Sequence, residues 1–96
     1  MYIKSAKLEW DTSKRDRTLE TRGLDFADVA QAEWDQALTL EDTRQDYGET
    51  RYVTVAVIQG RLCVFAWCWR GQTMRIISLR KANAREEKRY GESTKA

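Results

Sequence analysis

The second half of the chain contains three successive β-strand patterns joined by two tight turns, and this run limits the possible fold more than any other feature. Residues 51–58 alternate valines with other residues, and the pair at 59–60 is typical of a two-residue hairpin turn. Residues 61–69 are almost continuously apolar, which is typical of a central strand covered on both faces. A glycine turn at 70–72 leads into a third strand at 73–80. We therefore predict a three-stranded antiparallel meander.

Three helix patterns flank these strands. They run from 11 to about 20, from 25 to about 34 and from 83 to 90. Asp11 and Asp25 suit the N-cap position because a carboxylate accepts hydrogen bonds from the first free backbone N–H groups of a helix. Gly23 suits the end of the first helix. Asn83, with Glu86 three residues later, has the capping-box pattern.

Residues 2–10, which mix apolar and basic positions, predict a strand at the start, and residues 37–40 predict another before the meander. The predicted order is strand, helix, helix, four strands, helix. This order predicts an α+β fold with an antiparallel β-sheet meander, two N-terminal helices and one C-terminal helix. With 96 residues, the chain is expected to form a single domain over residues 1–96.

The chain contains no histidine, which excludes a His-based catalytic triad, an imidazole zinc site and a histidine acid–base pair. Phosphate-loop and Cys-x-x-Cys motifs are also missing, so we expect neither a metal nor a cofactor. Cys63 and Cys68 would lie on opposite faces of a strand, which argues against a mutual disulfide. Residues 1–4 lead into polar sequence and the apolar run 62–69 is too short for a membrane span, so a cytoplasmic protein is expected.

Charge is unevenly distributed along the chain. The net charge is only +2, but residues 25–49 carry one basic and eight acidic side chains, and residues 50–96 carry ten basic and three acidic ones. A basic half suits a nucleic acid or an acidic partner, and an acidic segment suits a basic one. Two solvated faces that attract each other across the fold would explain the same distribution.

Arginines of the basic half are the strongest candidates for binding a polyanion, because a guanidinium binds phosphate bidentately and keeps its charge. Arg51 begins the first meander strand and Arg80 ends the third. Those two strands run parallel, so full-length strands place the two residues at opposite ends unless loops or helices bring the ends together. Nearby Glu49, Glu86 and Tyr90 have structural explanations as a loop ion pair, a helix cap and a packing residue.

Two tryptophans of the predicted central strand, Trp67 and Trp69, could stack on nucleic-acid bases. Their position in a strand covered on both faces favours packing in the core instead.

Several short patterns occur together in the order and spacing of one protein family. They are Glu9-Trp10-Asp11 with Lys14, Arg22-Gly23 followed by Phe26 and Ala30, Glu41-Asp42-Thr43-Arg44, Tyr47-Gly48-Glu49-Thr50-Arg51, Gly60-Arg61-Leu62, Arg75-Ile76-Ile77-Ser78-Leu79-Arg80-Lys81-Ala82, and Arg85-Glu86 with Arg89-Tyr90. Together they span residues 8–90, and the chain resembles the BrnT family of small RelE-like ribonuclease toxins from bacterial type II toxin–antitoxin systems. The resemblance implies a RelE-like fold, RNA cleavage that inhibits translation, and neutralisation by a BrnA-like antitoxin.

On this hypothesis the chain is a metal-independent endoribonuclease, because RNA supplies its own nucleophile and the enzyme has only to orient the strand and neutralise charge. Arg51 and Arg80 would contact phosphate, and Glu49 would act as a base. The candidates for binding the RNA backbone are Lys14, Arg75, Lys81 and Arg85. The antitoxin would carry a ribbon-helix-helix-type DNA-binding region, so the toxin would reach DNA only through it, and no membrane would be involved.

One position departs from the family pattern. BrnT-like sequences often have a Lys-His-Gly or similar triplet where this chain has Thr21-Arg22-Gly23. A proton-transfer role of that histidine would be absent here, or altered by a permanently charged arginine. An alternative function explains the charge distribution equally well, namely a module that binds nucleic acid or a partner without chemistry.

Overall fold

The computed structural model describes residues 6–94, which form a five-stranded mixed sheet with two α-helices. The strands are β1 (Lys7–Trp10), β2 (Leu38–Asp42), β3 (Arg51–Ile58), β4 (Arg61–Arg70) and β5 (Thr73–Lys81), and the helices are α1 (Thr12–Arg22) and α2 (Ala84–Thr94). Their spatial order is β1-β5-β4-β3-β2. The predicted meander is confirmed, since β3, β4 and β5 pair antiparallel in sequence order.

The sheet as a whole is not a pure antiparallel meander. β2 adds antiparallel to β3, but β1 joins the other edge parallel to β5, so the predicted fold class was wrong in this detail. After β1, α1 and the following segment carry the chain to the opposite edge of the sheet, where β2 lies. Of the strand predicted at 2–10, residues 2–5 lie outside the described residues.

The predicted second N-terminal α-helix was also wrong. Two short 3-10 helices, Phe26–Gln31 and Trp34–Gln36, occupy that segment. The residues buried there are Phe26, Val29 and Ala32, and their spacing of three matches the three residues per turn of a 3-10 helix. The predicted cap is present nonetheless, because the Asp25 carboxylate accepts a hydrogen bond from the Ala27 N–H at 3.0 Å.

The other helix signals are confirmed. The Asp11 carboxylate accepts from the Lys14 N–H at 3.1 Å, and Gly23 ends α1 with φ +69°. Asn83 and Glu86 form the reciprocal capping box, with N–H to side-chain oxygen distances of 2.9 and 2.8 Å. α2 extends beyond the predicted end at residue 90, because Gly91 keeps the ordinary helical backbone.

The core lies on one face of the sheet, which we call the core face. Phe65 and Trp67 of β4 are buried there beneath Phe26 and Val29, and Trp34 packs edge-on against both β4 rings, with its centroid 5.6 Å from Phe65 and 6.4 Å from Trp67. The prediction that Trp67 is a core residue is confirmed.

The opposite face of the sheet, which we call the α2 face, lies beside α2. It carries Val53 and Val55 of β3, Val64 and Ala66 of β4, and Ser78 and Arg80 of β5. β4 is the central strand and has buried residues on both faces, as its composition predicted.

Both cysteines are free and buried on β4, Cys63 toward the core face and Cys68 toward the α2 face. Burial raises the pKa of the Cys63 thiol. Neither α1 nor α2 in the described range has the length and apolarity needed to cross a membrane.

Candidate functional site

A β-bulge in β5 brings Arg80 to the α2 face. Trp67 of β4 pairs with Ile76, whereas the preceding Ala66 pairs with Ser78, so Ile77 is an extra residue on β5. Strict alternation from Arg75 would turn Arg80 toward the core face, since the two are five residues apart. The bulge restores Arg80 to the same face as Arg75 and directs Leu79 into the core.

Arg80 is held by a bidentate ion pair with Glu86. Its Nη1 and Nη2 atoms donate to the two carboxylate oxygens of Glu86 at 2.7 and 2.8 Å. Glu86 is fixed in turn by the capping box, because its Oε1 atom also accepts from the Asn83 N–H. The hydrogen bonds from Arg80, assisted by the Asn83 N–H, lower the pKa of Glu86 from 4.5 to about 2, and the same pair raises the pKa of Arg80. Arg80 therefore has a defined position before any ligand binds.

The Arg80–Glu86 pair should make stability depend on pH in the acid range. Because the folded pKa of Glu86 is depressed from 4.5 to about 2, the stabilisation is complete above pH 4.5 and is lost as the pH falls toward 2. We expect Glu86→Gln to reduce the free energy of unfolding by about 1 kcal/mol at pH 7, since the pair is partly exposed, and by much less near pH 2.

Urea unfolding between pH 7 and pH 2 measures the difference in the free energy of unfolding between the wild type and Glu86→Gln. Glu87→Gln, at the exposed neighbouring position, is the control and should show no such pH-dependent difference. A loss of unfolding free energy in Glu86→Gln that stays constant from pH 7 to pH 2 would contradict the assignment of the pH dependence to the Arg80–Glu86 pair.

Across the α2 face from Arg80, a second guanidinium belongs to Arg44 in the loop after β2. Arg44 Nε and Nη2 donate to the two oxygens of Asp42, each at 2.8 Å, and the Tyr47 hydroxyl donates to the same carboxylate at 2.9 Å. These bonds hold the pKa of Asp42 well below its ordinary value and raise that of Arg44. The positive charge of Arg44 is close enough to Arg80 to oppose the rise in the Arg80 pKa.

Arg80 and Arg44 line one groove of about 420 Å³, which we call the arginine groove. Its floor is the α2 face, and the residues around it are Leu40, Glu41, Asp42, Thr43, Arg44, Val53, Val55, Val64, Ala66, Ser78, Arg80 and Glu86. Two guanidiniums beside an apolar floor can bind a phosphate while a base or sugar lies against the aliphatic side chains.

Arg51 belongs to a separate cluster on the α2 face. Its Nε atom donates to Glu49 at 3.3 Å, and its guanidinium lies 4.2 Å from the centroid of the Tyr47 ring. Glu49 also pairs with Arg70 at 3.2 Å. Through Tyr47, which bonds Asp42, this cluster connects to Arg44 and so to the rim of the arginine groove.

The structure does not bring Arg51 into contact with Arg80. Arg80 pairs with Val64, which pairs with Val55, four residues beyond Arg51 on β3. The two arginines thus share a face but are separated by roughly 13 Å along the strands. Glu49, the predicted base, lies with Arg51 and not with Arg80.

The remaining predicted residues surround these two clusters. Arg75 lies on the α2 face and donates to Glu9 at 2.7 Å. Lys14 lines a hollow between α1 and β5 that reaches Ser78, which also lines the arginine groove. Lys81 pairs with Cys63 and so alternates toward the core-face side at the end of β5. Arg85 is exposed on the first turn of α2.

Arg22, the departure from the family pattern, has a structural contact. Its Nη1 atom donates to the Leu79 carbonyl at 2.9 Å. β1 pairs only with residues 73–76 of β5, so this hydrogen bond satisfies a carbonyl on the part of β5 beyond β1.

Arg44, Asp42 and Tyr47 are the site residues that inspection of the sequence missed. They occur in the quoted patterns Glu41-Asp42-Thr43-Arg44 and Tyr47-Gly48-Glu49-Thr50-Arg51, but neither spacing reveals that Asp42 binds both of the other side chains. The sequence did contain one signal for these site residues, namely the concentration of charged and aromatic residues in a loop between two strands.

The carboxylates of this face do not form a metal site. Across residues 6–94, no three Cys, Asp or Glu side chains cluster so as to hold a metal ion. Glu9, Asp42, Glu49 and Glu86 each pair with an arginine instead.

Comparison with known proteins gives the family. The model of the ribonuclease toxin BrnT, of type II toxin–antitoxin systems, matches residues 10–86, which include β2–β5, the 3-10 helices, Arg44, Arg80 and Glu86. A search of curated proteins finds no match. The family match covers 77 of the 96 residues, and the chain therefore belongs to the BrnT family of ribonuclease toxins.

Proposed function

We propose that the chain, acting as one domain over residues 1–96, is a cytoplasmic metal-independent endoribonuclease that a BrnA-like antitoxin neutralises. The family is that of type II ribonuclease toxins, which implies an RNA substrate and an antitoxin partner. The observation that carries the finer proposal is the arginine groove, where Arg80 and Arg44 lie beside one apolar floor.

In this proposal the scissile phosphate binds at Arg80. The RNA 2′-oxygen forms a bond to phosphorus while the bond from phosphorus to the 5′-oxygen breaks, which leaves a 2′,3′-cyclic phosphate and a 5′-hydroxyl. Water takes the proton of the 2′-hydroxyl, and water supplies the proton of the leaving 5′-oxygen. The pentacovalent phosphorane carries additional negative charge, and Arg80 and Arg44 stabilise it.

Glu86 acts as a positioning residue. With its pKa at about 2, it stays ionised at neutral pH and is a poor proton acceptor, but it orients the Arg80 guanidinium. The Nε atom of Arg80 is not used by Glu86 and can donate to a phosphate oxygen.

Arg51 binds a second phosphate further along the same strand of RNA. Its backbone is displaced from that of Arg80 by roughly 13 Å along β3, which suits neighbouring parts of one RNA backbone. Glu49 orients Arg51 through the 3.3 Å hydrogen bond, and Arg75 and Lys14 lengthen the basic path at its edges. Lys81 and Arg85 lie at the end of the sheet and on α2, where they attract RNA without entering the groove.

One observation favours the alternative of a non-catalytic binding module. The carboxylate that pairs with Arg80 is ionised and fully engaged, and Glu49 lies with Arg51, so neither Glu86 nor Glu49 is a free base beside Arg80. A protein of this kind would bind RNA through the same arginines and leave it intact.

Incubation of the purified chain with RNA in EDTA distinguishes these functions. We expect RNA fragments with 2′,3′-cyclic phosphate ends, because the proposed reaction uses only the RNA 2′-hydroxyl and protein side chains. Gel electrophoresis and end-group analysis detect them. RNA that shifts in a native gel but keeps its length would establish the binding module instead, and cleavage that requires added Mg²⁺ would contradict metal independence.

A further inference from the structure

A second groove lies beside the arginine groove, between α2 and the edge of the sheet. Its volume is about 630 Å³, and its lining is mostly apolar. The residues around it are Ala37, Leu38, Thr39, Leu40, Val53, Val55, Glu86, Arg89, Tyr90 and Ser93. We call it the leucine groove after Leu38 and Leu40.

The floor of the leucine groove is exposed to a degree that is unusual for large aliphatic side chains. Leu40 is 76% exposed and Leu38 is 38% exposed. Within residues 6–94, the one other large hydrophobic residue exposed to this degree is Leu19 on α1, at 42%. Two exposed leucines on the floor of one groove mark a surface that another molecule covers.

The leucine groove is also at a free edge of the sheet. β2 is the last strand in the spatial order and pairs on one side with β3, and all of its residues except Asp42 are exposed. Among residues 6–94, no strand pairs with the outward N–H and C=O groups of β2, and the segment Leu38–Asp42 contains no basic residue or proline to discourage pairing.

The charges beside the leucine groove select an acidic partner. Arg89 lines the groove, and Arg85 lies one turn earlier on the same side of α2. Neither has an ion-pair partner in the described part of the chain, in contrast to Arg44, Arg51, Arg75 and Arg80. Carboxylates of a bound segment would pair with these two guanidiniums.

We infer that the leucine groove is the docking site of the antitoxin, through a segment that places apolar side chains on Leu38 and Leu40 and carboxylates beside Arg85 and Arg89. The inference rests on the proposed function, which supplies the antitoxin. A second copy of the chain fits less well, because a two-fold contact through this groove would bring the basic side of α2 against itself.

Docking at the leucine groove explains neutralisation directly. Leu40, Val53, Val55 and Glu86 line both grooves. A segment that covers Leu40 therefore overhangs the Arg80–Glu86 pair and excludes RNA from the arginine groove.

The test measures binding of the chain to a purified BrnA-like antitoxin by isothermal titration calorimetry. Leu38→Asp should weaken binding at least about 30-fold, because it places a carboxylate in the apolar contact. Leu19→Asp is the matched control, since Leu19 is similarly exposed but lies on α1 outside the groove. The affinity of the Leu19→Asp variant for the antitoxin should stay within about twofold of the wild-type value. Circular dichroism checks the fold of both.

A second variant tests the electrostatic part without altering the apolar floor. Arg89→Gln should weaken binding and reduce its dependence on salt concentration, since it removes one charge pair. Unchanged affinity of both Leu38→Asp and Arg89→Gln would overturn the inference.

Sedimentation of the free toxin tests whether a second copy of the chain occupies the leucine groove. A wild-type dimer that Leu38→Asp converts to a monomer would assign the groove to a second copy and overturn the inference. RNA cleavage plays no part in these measurements. An inactive chain that binds the antitoxin as described would therefore disprove the proposed enzyme activity while supporting the docking site.

Discussion

Replacing Arg80 by alanine is expected to reduce the rate of RNA cleavage by about a hundredfold to a thousandfold, the usual loss when one donor to a developing oxyanion is removed. Arg80 is oriented by two hydrogen bonds of 2.7 and 2.8 Å that it donates to Glu86. The loss should appear mainly in the rate of the chemical step, because Arg44 and Arg51 still hold RNA. Single-turnover cleavage of a labelled RNA measures it.

The matched control for this prediction is Arg61→Ala. Arg61 is an exposed arginine of the same basic half, at the hairpin turn that begins β4, and it lies outside the arginine groove. Its removal lowers the net charge equally but should leave the cleavage rate within about twofold. Equal effects of Arg61→Ala and Arg80→Ala would show that general attraction of RNA, and not a site at Arg80, determines the activity.

Replacing Trp67 by alanine is expected to lower the free energy of unfolding by about 3–5 kcal/mol, the range for removal of a buried tryptophan. Trp67 is 2% exposed, stacks on Tyr52 at 4.8 Å and contacts Trp34 and Trp69 edge-on. For a domain of this size the loss corresponds to a fall in the melting temperature of more than about 10 °C. Urea and thermal unfolding measure both quantities.

Trp67→Phe keeps an aromatic ring in the core but removes the indole N–H and the pyrrole part of the ring. The indole N–H donates to the buried Thr54 hydroxyl at 2.8 Å, and that hydroxyl also contacts Thr39 at 2.8 Å. Because Thr54 keeps its second partner, we expect Trp67→Phe to cost only about 1–2 kcal/mol. A Trp67→Phe loss as large as that of Trp67→Ala would show that a phenyl ring restores none of the stability and that the complete indole, with its N–H, is required.

Local signals predicted the parts of the fold that depend on local chemistry. The turn at Gln59 and Gly60 has φ values of +51° and +79°, as a tight hairpin turn of this kind requires, and the Asn83–Glu86 capping box forms as its spacing predicts. The parallel placement of β1 beside β5 was not predictable in this way, because no local pattern records which distant edge a strand will join.

Prediction of the candidate site had the same limit, because local patterns do not show which distant segments come into contact. Arg80 was identified as an arginine at a strand end, and its partner Glu86 was recognised only as a helix cap. Glu86 both caps α2 and pairs with Arg80, and the sequence pattern indicates only the first of these roles. Arg44 was missed because its place in one groove with Arg80 depends on the pairing of β2 with β3, which no local pattern records.

The extra residue at Ile77 makes β5 one residue longer than regular pairing with β4 requires. Removal of Ile77 would leave Arg75 and Arg80 four residues apart, so that strict alternation alone would keep them on one face and Leu79 on the other. A single-codon deletion at the bulge would therefore straighten the strand and leave the later side chains on their present faces. In the course of evolution β5 is thus expected to tolerate the loss of one residue at the bulge.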